Sequence, residues 1–341
     1  MAKQGIVKSQ LQPIQIGLLL LPAFNSMALN AFVDPFRAAN YLQGQPLYQW
    51  HFLSLSSQAV TASNGLTISQ TIPFPESTDT FDLIVVNASW TPENFQDQTL
   101  QHWLRSQSRR GALLVGIDTG AFVLAYAGLM DGYRATTHYE HLPSFRELFP
   151  KIQTAESLFV IDRDRLSSSG GMAAADLSLE LIRLQNGMAL STAVGRYIFH
   201  ERRRGGDEKQ LSHTHAPIDP ILPDVLREVL LVMEQNLEEA IPMPLLANRV
   251  GVSQRQLERI FKKHLGITPK RYYLNLRLIR GRALLTQTQL TIAEVAGACG
   301  FKSSEHFTRS YVKFFNMAPS RDRQEGRIPF QFWLYPESRS G

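Results

Sequence analysis

Over its first 200 residues the chain alternates two hydrophobic patterns. Apolar runs at Ile14–Leu20, 52–55, 83–86, 112–117 and 158–161 have the length and composition of strands buried on both faces. Amphipathic stretches at 27–42, 92–107, 121–128, 139–149 and 173–185 separate them. The alternation predicts an α/β domain, 12–200, with a parallel sheet between helices. The charged run from Glu201 to Lys209 and the proline-punctuated 216–223 then read as a helix end and a linker, 201–222. Beyond Pro223 the strand signal is gone: 223–325 reads as an all-helical domain and 326–341 as a tail.

The helical part repeats itself. Ala247 and Gly251 match Ala296 and Gly300 at an offset of 49. Beyond the turn the offset is 50, pairing Ser253 with Ser303, Leu257 with Phe307, Arg259 with Arg309, Phe261 with Tyr311, Lys263 with Lys313 and Pro269 with Pro319. Each copy has the anatomy of a helix-turn-helix: a small residue where two helices cross, a glycine for a left-handed turn, and a serine (Ser253; Ser303 or Ser304) to cap the second helix. The second helices, 253–263 and 304–314, place Leu257, Ile260 and Phe261, or Phe307, Tyr311 and Phe314, on a core face. Opposite stand Arg255, Glu258, Arg259 and Lys262, and in the second copy Glu305, Thr308, Arg309 and Lys313, side chains able to read base edges and grip phosphates. One copy alone would pass for a solvated helix face; duplication points to DNA. A helix over 269–286, ~27 Å long at 1.5 Å per residue, joins the copies and suits entry into successive major grooves ~34 Å apart.

Charge sharpens this division. The chain carries 35 Lys and Arg against 30 Asp and Glu, a net +5. Residues 1–200 hold 13 basic against 15 acidic residues, and 219–341 hold 18 against 12, so the basic excess belongs to the helical part, as expected when one domain meets a polyanion. A hydrophobic fraction of 44% and mean hydropathy of −0.15 exclude a disordered or fibrous chain. The apolar run 16–21 is far short of the ~20 residues of a membrane helix. With Pro22 after it and no small-x-small cleavage pattern, it reads as a strand and not a signal peptide. The single cysteine, Cys299, excludes an internal disulfide and a thiolate cluster, and the expected location is the cytoplasm.

In an open parallel sheet, ligands bind beyond the carboxyl ends of the strands. Those positions here are Phe24, Asn25 and Ser26; Asn87, Ser89 and Trp90; Asp118, Thr119 and Gly120; and His138 after Ala135-Thr136-Thr137. The stretch Val115-Gly116-Ile117-Asp118-Thr119-Gly120-Ala121-Phe122 has the form of a nucleophile elbow, a tight strand-to-helix turn with small neighbours.

These motifs carry two resemblances. Residues 246–323 resemble the DNA-binding domain of the AraC/XylS family, with Ser253-Gln254-Arg255-Gln256-Leu257-Glu258-Arg259-Ile260-Phe261 as the first recognition helix. Ile292-Ala293-Glu294-Val295-Ala296, Gly300-Phe301-Lys302-Ser303-Ser304-Glu305-His306-Phe307-Thr308-Arg309 and Phe315-Asn316-Met317-Ala318-Pro319 carry the second half. The resemblance implies a sequence-specific transcription regulator, more often an activator that contacts RNA polymerase. Residues 12–200 are similar to the PfpI-type, class I glutamine-amidotransferase-like superfamily, a flavodoxin-like parallel sheet, and to the GlxA-like regulators that fuse it to an AraC domain. The matching pieces are Val33-Asp34-Pro35-Phe36-Arg37-Ala38-Ala39-Asn40, Asp118-Thr119-Gly120-Ala121-Phe122-Val123-Leu124-Ala125, Ala127-Gly128-Leu129-Met130-Asp131-Gly132, Ala135-Thr136-Thr137-His138 and Ser169-Gly170-Gly171. In the enzymes the elbow residue is a reactive Cys; here it is Asp118, which removes cysteine chemistry from this turn. His138 keeps the family's histidine position, and Asp34 stands where an acidic partner is usual. The variant Pro35-Phe36-Arg37-Ala38-Ala39-Asn40 looks like the subgroup that senses arginine, glycine betaine, carnitine and related amino compounds.

Asp118 and Asp34 with an aromatic face from Phe24, Trp90 or Phe122 would suit a cationic amine. The expected ligand site is Asn25, Asp34, Asn87, Trp90, Asp118, Thr119, Phe122 and His138. The expected DNA readers are Ser253, Arg255, Glu258, Arg259 and Lys262 with Ser303, Ser304, Glu305, Thr308, Arg309 and Lys313. No catalytic residue, metal or cofactor is expected. The partners implied are double-stranded DNA, RNA polymerase, a small amine-bearing or quaternary-ammonium effector and a second copy of the chain, with no membrane. Two alternatives stand beside this: a hydrolase or amidase with an appended DNA-binding domain, Asp118 serving as nucleophile, and a DNA-binding protein whose first domain only dimerises. Asp118 in a purely structural role would help cap the helix after it. His213 and His215 read as linker histidines, Cys299 as a small core residue, Arg202-Arg203-Arg204 as a helix end near phosphate or complementing the helix dipole, and the apolar 330–335 as a segment folding back on a domain.

Overall fold

The computed structural model describes residues 12–77, 80–210 and 223–325, in two compact units that divide after Gln210. In the first unit a seven-stranded sheet runs in the order Phe159–Asp162, Arg165–Ser168, Leu113–Asp118, Leu83–Ala88, Ile14–Leu20, Tyr48–Ser54, Ile72–Pro73. All pairs are parallel except Phe159–Asp162 against Arg165–Ser168. The central strands are apolar on both faces because both are covered. Leu18, Leu20, Val85, Val115 and Ile117 pack under Ser26–Gln43 and Ala173–Asn186, while Leu19, Ile84, Val86 and Leu114 pack under Gln98–Arg109 and Gly120–Tyr126. The chain passes from Ile14–Leu20 to Tyr48–Ser54 on one side and then to Leu83–Ala88 on the other. The strand order therefore reverses between Ile14–Leu20 and Leu83–Ala88, the switch point where such sheets open a crevice.

The second unit has seven helices among its described residues. Pro269–Gln287 runs through it, giving Tyr273 and Leu276 to one small core with Leu226, Leu246, Leu257 and Phe261, and Leu278, Leu284 and Leu285 to another with Val295, Ala296, Phe307 and Tyr311. A cluster of this size supports one helix-turn-helix, so two cores on one shared helix are what a duplicated unit requires.

The expected linker 201–222 is reassigned at its start. Residues 201–210 pack on the sheet unit: Arg204 pairs with the buried Asp176 at 2.7 Å and Arg203 donates to Ser191. The last helix of the unit ends earlier, at Tyr197. Arg203 and Arg204 are therefore engaged with protein, beyond the end of that helix. His213, His215 and 330–335 lie outside the described residues.

Candidate functional site

Three strands end side by side at the switch point, and at or just beyond each end lies a non-glycine residue with a left-handed backbone: Ala23 at φ 60°, Thr91 at φ 52° and Asp118 at φ 59°. Such residues are uncommon and cost energy, and half of the six in the described chain fall here. The Asp118 turn is tight enough to dictate its neighbours. A Cβ on Gly120 would sit 2.0 Å from the carbonyl oxygen of Val86, and one on Gly116 would sit 2.5 Å from the amide of Ala121. A Cβ on Gly170 would meet that of Asp118 at 3.0 Å, which explains the first glycine of the Ser169-Gly170-Gly171 motif.

Asp118 is buried, and its side chain is held from two strands. Asn25, which caps Ser26–Gln43, donates from Nδ2 to Asp118 Oδ2 at 2.9 Å, and Ser89 Oγ donates to the same oxygen at 3.4 Å. Asn87 Nδ2 donates to the Asn25 carbonyl at 3.1 Å, leaving Asn87 Oδ1 buried without a protein partner. Thr119 Oγ1 donates to the Ser89 carbonyl at 2.7 Å and fastens the neighbouring turn. Burial pushes the Asp118 carboxyl above the ordinary carboxylate range; the charge of His138, then the bonds from Asn25 and Ser89, act in the opposite sense. His138 is half-buried against Tyr139 and near Glu140, and behind it burial lowers His141 to about 3. The site thus gathers acceptors, a carboxyl in a low-dielectric turn and an unpartnered amide oxygen.

Of the expected ligand residues, Asn25, Asn87, Asp118 and His138 come together. Trp90, half-buried, follows the same strand as Asn87, and Thr119 is a support. Two expectations are corrected. Asp34 is exposed on its helix and paired with Arg37 at 2.9 Å, with no contact to Asp118. Phe122 lies wholly in the core, edge-on to Phe145 at 4.8 Å and near Phe149, because that face of Gly120–Tyr126 packs on Leu142–Leu148; Phe24 is likewise fully buried. Trp90 is the aromatic ring left to the site. Ser89, read as a strand-end position, and Gly170, part of the Ser169-Gly170-Gly171 motif, join the site although neither is in the expected ligand set. Ser89 follows Asn87 beyond the same strand, a signal already in the chain.

In the helical unit the caps are as the spacing predicts. Ser253 forms a capping box with Gln256, and Ser303, not Ser304, accepts the amide of His306. The turn glycines Gly251 and Gly300 are left-handed, at φ 68° and 71°. Along Gln254–Leu265, Arg255, Glu258, Arg259 and Lys262 are exposed; along Ser304–Phe315, Glu305, Arg309 and Lys313 are exposed and Ser304 and Thr308 half-buried. Gln254 steadies Glu258 at 3.2 Å, and hydrogen bonds from its own backbone and Ser303 hold Glu305 in its charged form. Phe314, expected in the core, is exposed; Phe315 packs there in its place. Cys299 is buried in that core, as expected.

An α/β domain with a strained, polar turn at its switch point, followed by two helix-turn-helix motifs, defines a two-part DNA-binding regulator. Comparison with known proteins makes the assignment specific. Residues 18–184 match the DJ-1/PfpI family and residues 246–325 a helix-turn-helix domain. The chain is 40% identical to the HTH-type transcriptional regulator GbdR of Pseudomonas aeruginosa over 94% of this chain and 87% of that one. It is 32% identical to the HTH-type transcriptional regulator GlxA of Rhizobium meliloti over 91% and 95%. A crystal structure of a ThiJ/PfpI family protein from Pseudomonas syringae, 19% identical, superimposes with a TM-score of 0.52 over 65% of this chain and 89% of that one, in agreement on the fold. The chain belongs to the AraC-type HTH transcriptional regulators that carry a DJ-1/PfpI domain. These relatives are named as regulators and not as enzymes. No helix among the described residues is long and apolar enough to cross a membrane.

Proposed function

We propose that this regulator, acting as an activator in the cytoplasm, answers to a small amine-bearing or quaternary-ammonium metabolite bound at the Asp118 turn. The observation that carries the reading is a buried carboxyl beside an unpartnered acceptor, Asn87 Oδ1, on a strained turn at the sheet's switch point. A buried carboxyl beside the donorless Asn87 Oδ1 suits a ligand that brings N–H groups or positive charge, and Trp90 offers a ring face to a cation. With Asp118 where the related enzymes carry a reactive Cys, the turn retains the architecture of a catalytic elbow and serves recognition. Two copies joined through their sheet units would present paired half-sites to DNA, with RNA polymerase as the protein partner. Arg255, Glu258, Arg259 and Lys262, with Ser304, Glu305, Thr308, Arg309 and Lys313, read or grip the operator, Glu258 and Glu305 accepting from cytosine N4 or orienting an arginine; Ser253 and Ser303 act as caps at the phosphate-facing helix starts.

Genome-wide mapping of bound sites tests this reading. It predicts a few discrete promoters beside genes for uptake or breakdown of an amine, occupied or activated differently when that amine is the nutrient. Binding without sequence preference, or discrete sites whose output ignores every such amine, contradicts it.

A further inference from the structure

The final residues of the sheet unit are fastened to the back of the candidate effector site. His200 Nε2 and Arg204 each reach the wholly buried Asp176 carboxylate at 2.7 Å. Residues 208–210 then run antiparallel to 156–158: Leu158 donates to the Glu208 carbonyl at 2.9 Å, Gln210 N donates to the Glu156 carbonyl at 2.8 Å, and Ser157 bridges Lys209. The strap ends on the Gln210 side-chain amide, whose Nε2 lies 2.9 Å from Thr136 Oγ1, 2.8 Å from the Thr137 carbonyl and 2.9 Å from the Ser157 carbonyl. Thr137 in turn donates from Oγ1 to the backbone carbonyl of Asp118 at 2.7 Å. A single buried threonine thus holds the Asp118 turn with its hydroxyl and receives Gln210 with its carbonyl. His138, of the candidate site, is the next residue. Gln210 is also the last residue of the sheet unit before the chain continues into the helical unit.

We propose that Gln210 is a positioning residue that, acting through Thr137, couples the Asp118 turn to the point where the chain leaves for the DNA-binding unit. The reason is geometric. Asp118 is held left-handed, so a ligand that changes that peptide moves its carbonyl, and the Thr137 hydroxyl must follow or lose a buried bond. Thr136 and Thr137 are fully buried, and water cannot substitute for Gln210 without opening the segment. Coupling through a shared element is reciprocal: what Gln210 does to Asp118, Asp118 does to Gln210. The regulatory meaning rests on the reading of the Asp118 turn as the effector site, whereas the physical coupling does not.

Hydrogen–deuterium exchange on the full chain without effector tests the coupling. Gln210→Met keeps the bulk and removes the amide; exchange should rise roughly five- to tenfold, the scale of one or two lost hydrogen bonds, in peptides over 134–138 and also over 116–122. Asp118→Asn should alter exchange over 206–210. Should Gln210→Met fail to fold, Thr137→Val, which removes only the hydroxyl bond to Asp118, should loosen 206–210. Gln210→Met changes confined to 154–158 and 206–210, or an unchanged 206–210 in both Asp118→Asn and Thr137→Val, would overturn the proposal. Because no effector is used, that failure is distinct from failure of the amine reading, which titration with arginine, glycine betaine and carnitine decides.

Discussion

Asp118 is a carboxylic acid in a place where ionisation is costly, and this makes its replacement informative. Its folded pKa is raised by burial, so the native chain holds its proton more tightly than the unfolded chain. The resulting penalty is absent below the ordinary carboxylate pKa and grows as pH rises through the folded value. Asp118→Asn should therefore melt a few degrees above wild type at neutral pH, and the gain should shrink as pH falls into the ordinary carboxylate range. Any gain from asparagine's tolerance of the left-handed turn is independent of pH and remains as an offset. Thermal unfolding of both proteins across that range checks it; a pH-independent difference counts against the buried charge. Arg259, exposed on the first recognition helix, makes the corresponding residue-scale prediction for DNA: Arg259→Ala should cost ~1–3 kcal/mol in operator binding and relax one position. At this scale the sequence showed Asp118, because an elbow is written in its small neighbours. It misplaced Phe122 and Asp34, because spacing along a helix does not say which face meets a crevice and which meets a second layer.

At the scale of elements, legibility followed the kind of burial. Ile14–Leu20 was readable to the residue, and the helices Gln254–Leu265, Pro269–Gln287 and Ser304–Phe315 to within a residue or two, because their burial is apolar and their ends are capped. Arg165–Ser168 was not legible. It is buried through polar groups: Arg165 pairs with Asp164 and donates to the Leu129 carbonyl, and Ser167 accepts the Thr136 amide. Such a strand carries no apolar signal. Gly281 gives a prediction in which two effects compete. Alanine there gains about 1 kcal/mol of helix propensity, yet its Cβ would sit 2.7 Å from the ring of fully buried Phe307. Overpacking a filled core costs roughly 1–3 kcal/mol, so Gly281→Ala should lower the stability of the helical unit in denaturant titration; a stabilised variant would show that the ring has room to yield.

Across the whole molecule the net +5 resolves into a near-neutral sheet unit and a basic helical one. Operator affinity should therefore fall steeply with salt, and Lys262→Ala should reduce the slope of log K against log salt by about 1 if Lys262 grips a phosphate. An unchanged slope removes that assignment. The amine proposed at Asp118 is a property of the whole chain as well. Calorimetric titration of the full chain with arginine, glycine betaine and carnitine, repeated on Asp118→Asn, decides it. At least one of them should bind, and at least tenfold more weakly once the carboxyl is gone, the scale of a lost charge-assisted contact of roughly 1.5–3 kcal/mol. Binding that survives Asp118→Asn unchanged, or no binding by any of the three, contradicts it.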